Sequence, residues 1–229
     1  MIKKKLLIIV PARGNSQGIK NKNIRLINGK PLLYYSLNTA RKLKINDKII
    51  FCSTDSKKIQ NICKKFNFKP SFLRPKKIAT SLSRDIEYVN HALKKFNELG
   101  FKFKFGLILR PTSPKRNTKV ILRAFNQFVK GNFDSMRAII EAPYPVDKMW
   151  YIKKNILVPI IKSTIYENYN APRQILKKSY AQSGNFEFFK VNYKIKLHSI
   201  SQKKIGYFLT SKNLENDIDT LKELKNLKL

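Results

Sequence analysis

The chain has 229 residues and a formal charge of +34, because its 48 lysines and arginines outnumber its 14 aspartates and glutamates. Hydrophobic residues make up 42% and aromatic residues 11%, so the chain can bury a core and is not a disordered polycation. Its two cysteines, Cys52 and Cys63, are too few for a disulfide framework and indicate buried thiols in a reducing compartment, so we expect a cytoplasmic protein.

The positive charge has two interpretations. It is typical of proteins that bind nucleic acids or anionic surfaces, but it also follows from a composition rich in Lys, Asn, Ile, Phe and Tyr. The lysines are spread over nearly every predicted helix and loop, and no nucleic-acid motif accompanies them, so we expect no nucleic-acid partner. Pro11 and Arg13 end the first apolar run, and no later run has the length of a membrane span, so we expect no membrane insertion.

Apolar strands and amphipathic helices alternate along the first 141 residues. Their periodicity predicts strands over 5–10, 49–53, 103–109 and 135–141, and helices over 31–44, 57–66, 85–99 and 118–129. This alternation predicts an α/β fold with a mainly parallel sheet covered by helices on both faces. Ligands of such sheets bind beyond the carboxyl ends of the strands, so we expect the loops there to meet at one edge.

The pattern changes from Ala142 onward, where prolines interrupt it. Residues 150–152 and 156–158 are typical of a hairpin, 183–191 and 205–209 of strands, and the segment from Asn216 to the end of the chain of a closing helix. We therefore expect a single domain over 1–229, with residues 142–190 forming an excursion that serves as a lid or a dimerisation arm.

The loop over residues 11–23 is the most informative motif. It follows an apolar strand and contains two glycines and three cationic side chains. Glycines let backbone N–H groups approach an anion, and arginine and lysine offset its charge, so the loop is typical of a phosphate site. The spacing is not that of a Walker A loop, because Ile19 follows Gly18, and it is not a Rossmann fingerprint. An ordinary strand-to-helix connection is the alternative.

Three further motifs each have two readings. Asp217 and Asp219, two residues apart, either bind Mg²⁺ or cap the closing helix. Arg110 and Arg173 each lie in a proline-stiffened loop, where a guanidinium either binds a carboxylate or phosphate or is simply solvated.

Taken in order, these stretches resemble the acylneuraminate cytidylyltransferase family and its relatives that act on other nonulosonic acids. The loop 11–23 is similar to the family signature P-A-R-G-x-S-x-G-x-x-x-K-N. The other motifs that carry the resemblance follow in family order: NGKPLL (28–33), STD (53–55), LRP (73–75), PTSP (111–114), PRQ (172–174) and DIDT (217–220).

The resemblance implies a Rossmann-like nucleotide-diphospho-sugar transferase fold and a nucleotidyltransferase activity. The implied reaction joins CTP to a nonulosonic acid and releases the CMP-sugar and pyrophosphate, with Mg²⁺ as cofactor, for cell-surface glycan synthesis. It also implies a homodimer whose arms complete each other's sugar site. The alternatives are a CMP-Kdo-type synthetase acting on another 2-keto sugar acid and, in a different class, a non-enzymatic basic nucleic-acid-binding protein.

The resemblance also assigns roles to individual residues. Catalytic roles fall to Arg13, Lys22 and Asp219. Nucleotide-binding roles, in the triphosphate loop and the base pocket, fall to Arg13, Gly14, Ser16, Gly18, Lys22, Asn23, Arg74 and Ser83. The sugar acid would contact Arg110, Arg173 and Gln174, and Mg²⁺ would be held by Asp217 and Asp219. Arg110 departs from the family, which commonly has glutamine there, and this added cation indicates a different nonulosonic acid or a different contact with it.

Overall fold

The computed structural model describes residues 2–16, 18–68, 72–193, 197–211, 218, 220–225 and 227. Its strands are β1 (Ile2–Pro11), β2 (Leu26–Ile27), β3 (Lys30–Pro31), β4 (Lys48–Ser53), β5 (Phe101–Ile108), β6 (Ser135–Glu141), β7 (Trp150–Lys153), β8 (Ile156–Pro159), β9 (Tyr180–Lys190) and β10 (Ile205–Leu209). Its helices are α1 (Leu32–Lys42), α2 (Lys57–Lys65), α3 (Asp85–Glu98), α4 (Thr118–Lys130) and α5 (Leu221–Lys225).

Within the described residues, the main sheet has six strands in the order β10-β6-β9-β5-β1-β4. Strand β1 pairs in parallel with β4 on one side and β5 on the other, and β10 pairs in parallel with β6. Only β9 runs antiparallel, between β5 and β6. The predicted mainly parallel α/β sheet is therefore confirmed, and the loops that follow β1, β4 and β5 leave the sheet at the same edge.

Strand β1 is apolar from Leu6 to Val10, where both of its faces are buried. Leu6, Ile8 and Val10 point into the cluster that contains apolar residues of α1, α2 and α4, while Leu7 and Ile9 point into the cluster built on α3. Successive strand residues face opposite sides, so one continuous apolar run supplies both layers of the core.

The helix boundaries follow their capping residues. The Asn117 side chain accepts a hydrogen bond from the backbone N–H of Lys119 (2.9 Å) and begins α4, as predicted. Ser56 caps α2, and its Oγ accepts a hydrogen bond from the backbone N–H of Ile59 at 3.4 Å. Helix α3 ends just before Gly100, whose φ of +84° favours glycine. The described part of the predicted closing helix is α5.

The predicted excursion over 142–190 is wrong in its final part. Residues 180–190 form β9, which lies inside the main sheet and buries Phe186, Phe188 and Phe189. The sequence pattern identified a strand here, but its partners β5 and β6 are distant in the chain, so local pattern did not reveal the pairing. The predicted hairpin is confirmed as β7–β8, which forms a separate two-stranded sheet. The lid or dimerisation role of 142–179 stays a prediction.

No helix in the described part of the chain is both long and apolar enough to cross a membrane.

Gly106 on β5 provides a test of the packing between β5 and β9. A Cβ atom at this position would lie 2.0 Å from Cζ of Phe189, whose side chain is fully buried. We expect Gly106→Ala to lower the free energy of unfolding by about 1–3 kcal/mol, because the ring can move only by displacing the core. Urea unfolding of Gly106→Ala, Phe189→Leu and the double variant measures this. Strictly additive losses in the double variant would contradict the proposed overlap.

Candidate active site

A cleft of about 430 Å³ opens at the sheet edge where β1 and β5 end. Three segments line it: the loop after β1, the residues that lead into α3, and the residues that follow β5. Most of the predicted nucleotide-binding residues meet here. The lining residues are Pro11, Arg13, Ser16, Gly18, Lys22, Asn23, Arg74, Thr80, Ser81, Ser83, Asp85, Tyr88, Arg110, Pro111 and Thr112.

Three hydrogen bonds hold the loop after β1, two to residues that follow or end β4 and one within the loop itself. Ala12 N–H donates to Ser53 O at 2.9 Å, which continues the β1–β4 ladder past the strand. Gly14 N–H donates to Oδ1 of Asp55 at 2.8 Å. At the other end of the loop, Nδ2 of buried Asn23 donates to the carbonyl oxygen of Arg13 at 3.0 Å. These bonds give the loop a defined shape without a ligand.

Gly14 lies close to the start of α2. A Cβ atom at Gly14 would approach Cβ of Ser56 to 3.0 Å, so a side chain there would push the loop away from Asp55. Asp55 follows β4 and belongs to the STD motif (53–55), for which the sequence analysis assigned no binding role. Its observed role is to accept from the loop, a contact across 41 residues of sequence that local pattern did not reveal.

Arg74 is a buried cation in the cleft wall. Its side chain is among the buried ones, with 5% of the residue exposed, and its backbone N–H donates to Thr54 O at 2.7 Å. The guanidinium lies 5.3 Å from the ring centroid of Tyr88, and its Nε has no hydrogen-bond partner among the described residues. Burial lowers the pKa of Arg74, although Asp55 opposes the shift. A buried arginine with an unused donor in a cleft fits an anionic or hydrogen-bond-accepting ligand.

Arg13, Lys22 and Arg74 make this cleft an anion site. Lys22 is oriented by donating from Nζ to the carbonyl oxygen of Ile218 at 2.8 Å. A second cavity of about 480 Å³ continues the cleft past Arg13 and Ser16 and adds Lys76 to its wall. The cationic side chains therefore surround a space large enough for several phosphate groups.

Arg110 also lines the cleft, but it is paired with carboxylates. Its Nη2 contacts Oδ2 of Asp85 and lies 3.1 Å from Oε2 of Glu187, and Glu187 lies 2.8 Å from Nη2 of Arg137. Burial alone would lower the pKa of Arg110, but Tyr88, Asp85 and Glu187 beside it raise that pKa above its ordinary value. The added cation predicted at this position is thus present and already neutralised.

The sequence analysis assigned no site role to three residues of this cluster: Asp85, Tyr88 and Glu187. Asp85 and Tyr88 were read only as part of an amphipathic helix, and Glu187 as part of an aromatic strand. A charged residue in the apolar alternation of 183–191 was the one available signal, because a buried carboxylate requires a partner.

Arg173 and Gln174 lie outside this cleft. They line a separate cavity of about 410 Å³ formed with Pro143, Leu176 and other residues of 141–179. The guanidinium of Arg173 donates to the carbonyl oxygen of Pro143 and lies 5.5 Å from the ring centroid of Tyr144. Within one subunit, the structure therefore does not bring these two residues to the predicted nucleotide site.

The predicted metal ligands Asp217 and Asp219 lie outside the described residues. Ile218 between them is described: its N–H donates to Thr112 O at 2.9 Å and its carbonyl oxygen accepts from Lys22. Both partners line the cleft, so the backbone between the two aspartates runs along the cleft edge. The described residues contain no cluster of three or more His, Cys, Asp or Glu side chains that would form another metal site.

Known proteins that are similar to this chain include cytidylyltransferases. Residues 7–226 match the family described as Cytidylyltransferase. A pseudaminic acid cytidylyltransferase of Campylobacter jejuni is 28% identical over 98% of this chain and 95% of its own length. A CMP-N,N'-diacetyllegionaminic acid synthase of Legionella pneumophila is 34% identical over 52% of this chain and 51% of its own length.

Solved structures share the fold at low identity. A CMP:2-keto-3-deoxy-manno-octonic acid synthetase complexed with CTP has a TM-score of 0.65, with 12% identity, over 97% of this chain and 96% of its own. A 4-diphosphocytidyl-2C-methyl-D-erythritol synthase of Anaerococcus prevotii has a TM-score of 0.62, with 13% identity, over 97% and 95% of the two chains. The predicted Rossmann-like nucleotidyltransferase fold is therefore confirmed.

The contact between Asp55 and Gly14 makes a prediction about anion binding. Removing a carboxylate near an anion site should strengthen binding if only charge matters. We expect the opposite for Asp55→Ala, a loss of about 3- to 10-fold in affinity for inorganic triphosphate, because the loop loses the hydrogen bond that holds Gly14. Asp55→Asn keeps an acceptor without the charge and should bind at least as well as the unchanged chain. Isothermal titration calorimetry measures all three proteins, and tighter binding by Asp55→Ala would refute this role.

Proposed function

The chain belongs to the cytidylyltransferase family, and we propose that it uses CTP to activate a nonulosonic acid of the sialic, legionaminic or pseudaminic type, releasing the CMP-sugar and pyrophosphate. The observation that carries the proposal is the family match over 7–226 together with a cationic cleft at the carboxyl ends of β1 and β5. Relatives named for three such sugar acids support the substrate class.

The reaction is a displacement at phosphorus. The anomeric hydroxyl of the sugar acid attacks the α-phosphorus of CTP, the bond to the bridging oxygen breaks, and pyrophosphate leaves. Arg13 and Lys22 offset the charge that builds on the leaving pyrophosphate, and Gly14, Ser16 and Gly18 shape the loop around it. The cytosine base is bound by Asn23, Arg74 and Ser83. These groups are held before the ligand arrives, so little reorganisation accompanies the reaction.

Mg²⁺ is part of this proposal, with Asp217 and Asp219 as its ligands. Two carboxylates together with phosphate and water oxygens suit Mg²⁺, and the contacts of Ile218 with Lys22 and Thr112 support a location beside the same phosphates. The ion would supply positive charge on the phosphate oxygens.

A homodimer is the second part of the proposal. Strands β7 and β8 expose large apolar side chains, among them Ile152 (79% exposed), Ile156 (66%) and Leu157 (59%). Such a patch is costly to leave in water, and a second copy of the arm over 142–179 is the partner that we propose. Arg173 and Gln174 would then act on the sugar in the partner's cleft, which accounts for their separation from Arg13.

The place of the reaction is also proposed. CTP and a thiol-bearing protein fit the cytoplasm, and a CMP-sugar is an activated donor for surface glycans such as lipopolysaccharide.

Two alternatives are weaker. A CMP-Kdo-type synthetase rests on a likeness of 12% identity, which speaks for the fold alone. Non-enzymatic nucleic-acid binding rests on the charge of +34, yet the cations that line the cleft belong to the motifs of a nucleotidyltransferase family.

The activity is tested by pyrophosphate release from CTP with N-acetylneuraminate, legionaminate, pseudaminate and Kdo. We expect release with at least one nonulosonic acid, loss on chelation by EDTA and recovery with MgCl₂. Asp219→Ala should lower kcat/KM by about 100-fold or more, because it removes a proposed ligand of Mg²⁺ and with it the positive charge that the ion would supply to the reacting phosphates. Glu98→Ala, which removes an exposed carboxylate at the end of α3, should have no effect. Release with Kdo alone would favour the alternative, and no release with any sugar would refute the proposal.

Subunit mixing tests the shared site. Arg13→Ala and Arg173→Ala are each expected to be nearly inactive. After the two are unfolded together and refolded, about a quarter of the unchanged activity should return, since half of the dimers are mixed and each has one intact site of two. Absence of recovery, with dimers shown by light scattering, would mean that Arg173 does not act across the interface.

A further inference from the structure

The ion pair between Asp85 and Arg110 lies in the wall of the cleft that also holds the triphosphate loop. The side chain of Arg110 is 29% exposed and that of Asp85 is 38% exposed, so a ligand in the cleft can contact both. Neither residue belongs to the set of cations that surround the phosphates. The pair is therefore available to the second substrate.

Arg110 is held rigidly on both sides. Its carbonyl oxygen accepts from Nη2 of Arg116 at 2.7 Å and from Oγ of Ser36 at 3.2 Å. Its guanidinium is held by Asp85 and by Glu187, a residue only 3% exposed. Glu187 is in turn paired with Arg137, whose Nε donates to Oγ of Ser201 at 2.9 Å. Such a chain of partners fixes the direction of the guanidinium before a substrate binds.

The pair retains unused hydrogen-bonding groups. All contacts of the Arg110 guanidinium within the described residues are made by Nη2, so Nε and Nη1 keep their donors. The Asp85 carboxylate meets Arg110 through Oδ2, and no geometric hydrogen bond to its Oδ1 is found among the described residues; burial and this nearby carboxylate raise the pKa of Tyr88. A donor and an acceptor therefore stand side by side at the cleft.

The charge around Arg110 disfavours a third carboxylate. Arg110 already contacts two carboxylates, and a sugar carboxylate placed there would meet repulsion from Asp85 at close range. A neutral group that donates to Asp85 and accepts from Arg110 meets no such repulsion and satisfies both unused positions.

We propose that Asp85 and Arg110 together form a specificity element that binds an uncharged donor–acceptor group of the sugar acid, a hydroxyl or an acylamino group, and not its carboxylate. Glu187 is a positioning residue that acts through Arg110. The inference rests on the proposed function and names the part of the substrate that this wall of the cleft recognises. The carboxylate is left to other cations, such as Arg173 of the proposed dimer.

The sign of the Asp85→Asn effect decides between the two roles of Arg110. If Arg110 binds the sugar carboxylate, Asp85→Asn removes a competing anion and the KM for the sugar falls or stays unchanged. Our inference predicts that this KM rises at least about 10-fold in both Asp85→Asn and Arg110→Gln, because a charged hydrogen-bond partner is lost. The KM for CTP should change less than about twofold in both. Arg123→Gln, which removes an exposed arginine of α4, is the matched control and should change neither constant.

Three outcomes would overturn the inference: a fall in the sugar KM, no change in it, or an equal rise in the KM for CTP. Thermal melting of each variant shows that the protein remains folded. If the unchanged chain reacts with no sugar acid, the proposed function fails, and the inference fails with it. If the unchanged chain is active and the variants match it, only the inference fails.

Two further arms refine the assignment. Comparing N-acetylneuraminate with the analogue that carries a hydroxyl in place of the acetamido group identifies the group bound. If Asp85→Asn and Arg110→Gln raise the KM for N-acetylneuraminate only, the pair binds the acylamino group. If they raise the KM for both sugars equally, the pair binds a hydroxyl. Either result supports the inference. Glu187→Gln should add no further rise in sugar KM to Arg110→Gln, and fully additive effects would overturn its positioning role.

Discussion

Burial of β1 on both faces is the constraint from which the site follows. Leu6, Ile8 and Val10 pack into one layer and Leu7 and Ile9 into the other, with parallel partners on both edges of the strand. Because the run is apolar on both faces, its register is defined by the parallel ladders to β4 and β5 and not by an alternating pattern. The position at which the loop leaves the sheet is therefore defined, and Arg13 and Lys22 derive their placement from it.

The cations that line the cleft fall into two groups, which differ in whether a carboxylate contacts them. Arg13, Lys22 and Arg74 line the cleft; the carbonyl oxygen of Ile218 orients Lys22, and the guanidinium of Arg74 lies near the ring of Tyr88. Arg110 is instead enclosed by Asp85 and Glu187. A cation without a carboxylate beside it attracts anions, and a cation paired with carboxylates offers hydrogen bonds with little net charge, which is the basis of the roles that we propose for the two groups.

Prediction from sequence succeeded where the determining interactions are local. The apolar periodicity predicted the strands 5–10, 49–53, 103–109 and 135–141 and the helices between them, and the observed ends of α4 and α3 lie at Asn117 and beside Gly100, where local capping and a positive φ decide them. Seven short motifs in family order, the first of them the loop 11–23, also led to the family, which the match over 7–226 confirms. The excursion was predicted too long because the pairing of β9 with β5 and β6 spans many residues of chain.

The sequence by itself determined the layered α/β fold, because that depends on apolar periodicity, and its ordered motifs gave the class of enzyme through their resemblance to a known family. Only the tertiary structure decided that Asp55 holds Gly14, that Arg110 is paired with Asp85 and Glu187, and that Arg173 lies away from the cleft. These contacts join residues 25 to 77 positions apart or depend on separate elements, and side-chain pairing at that range is decided by packing.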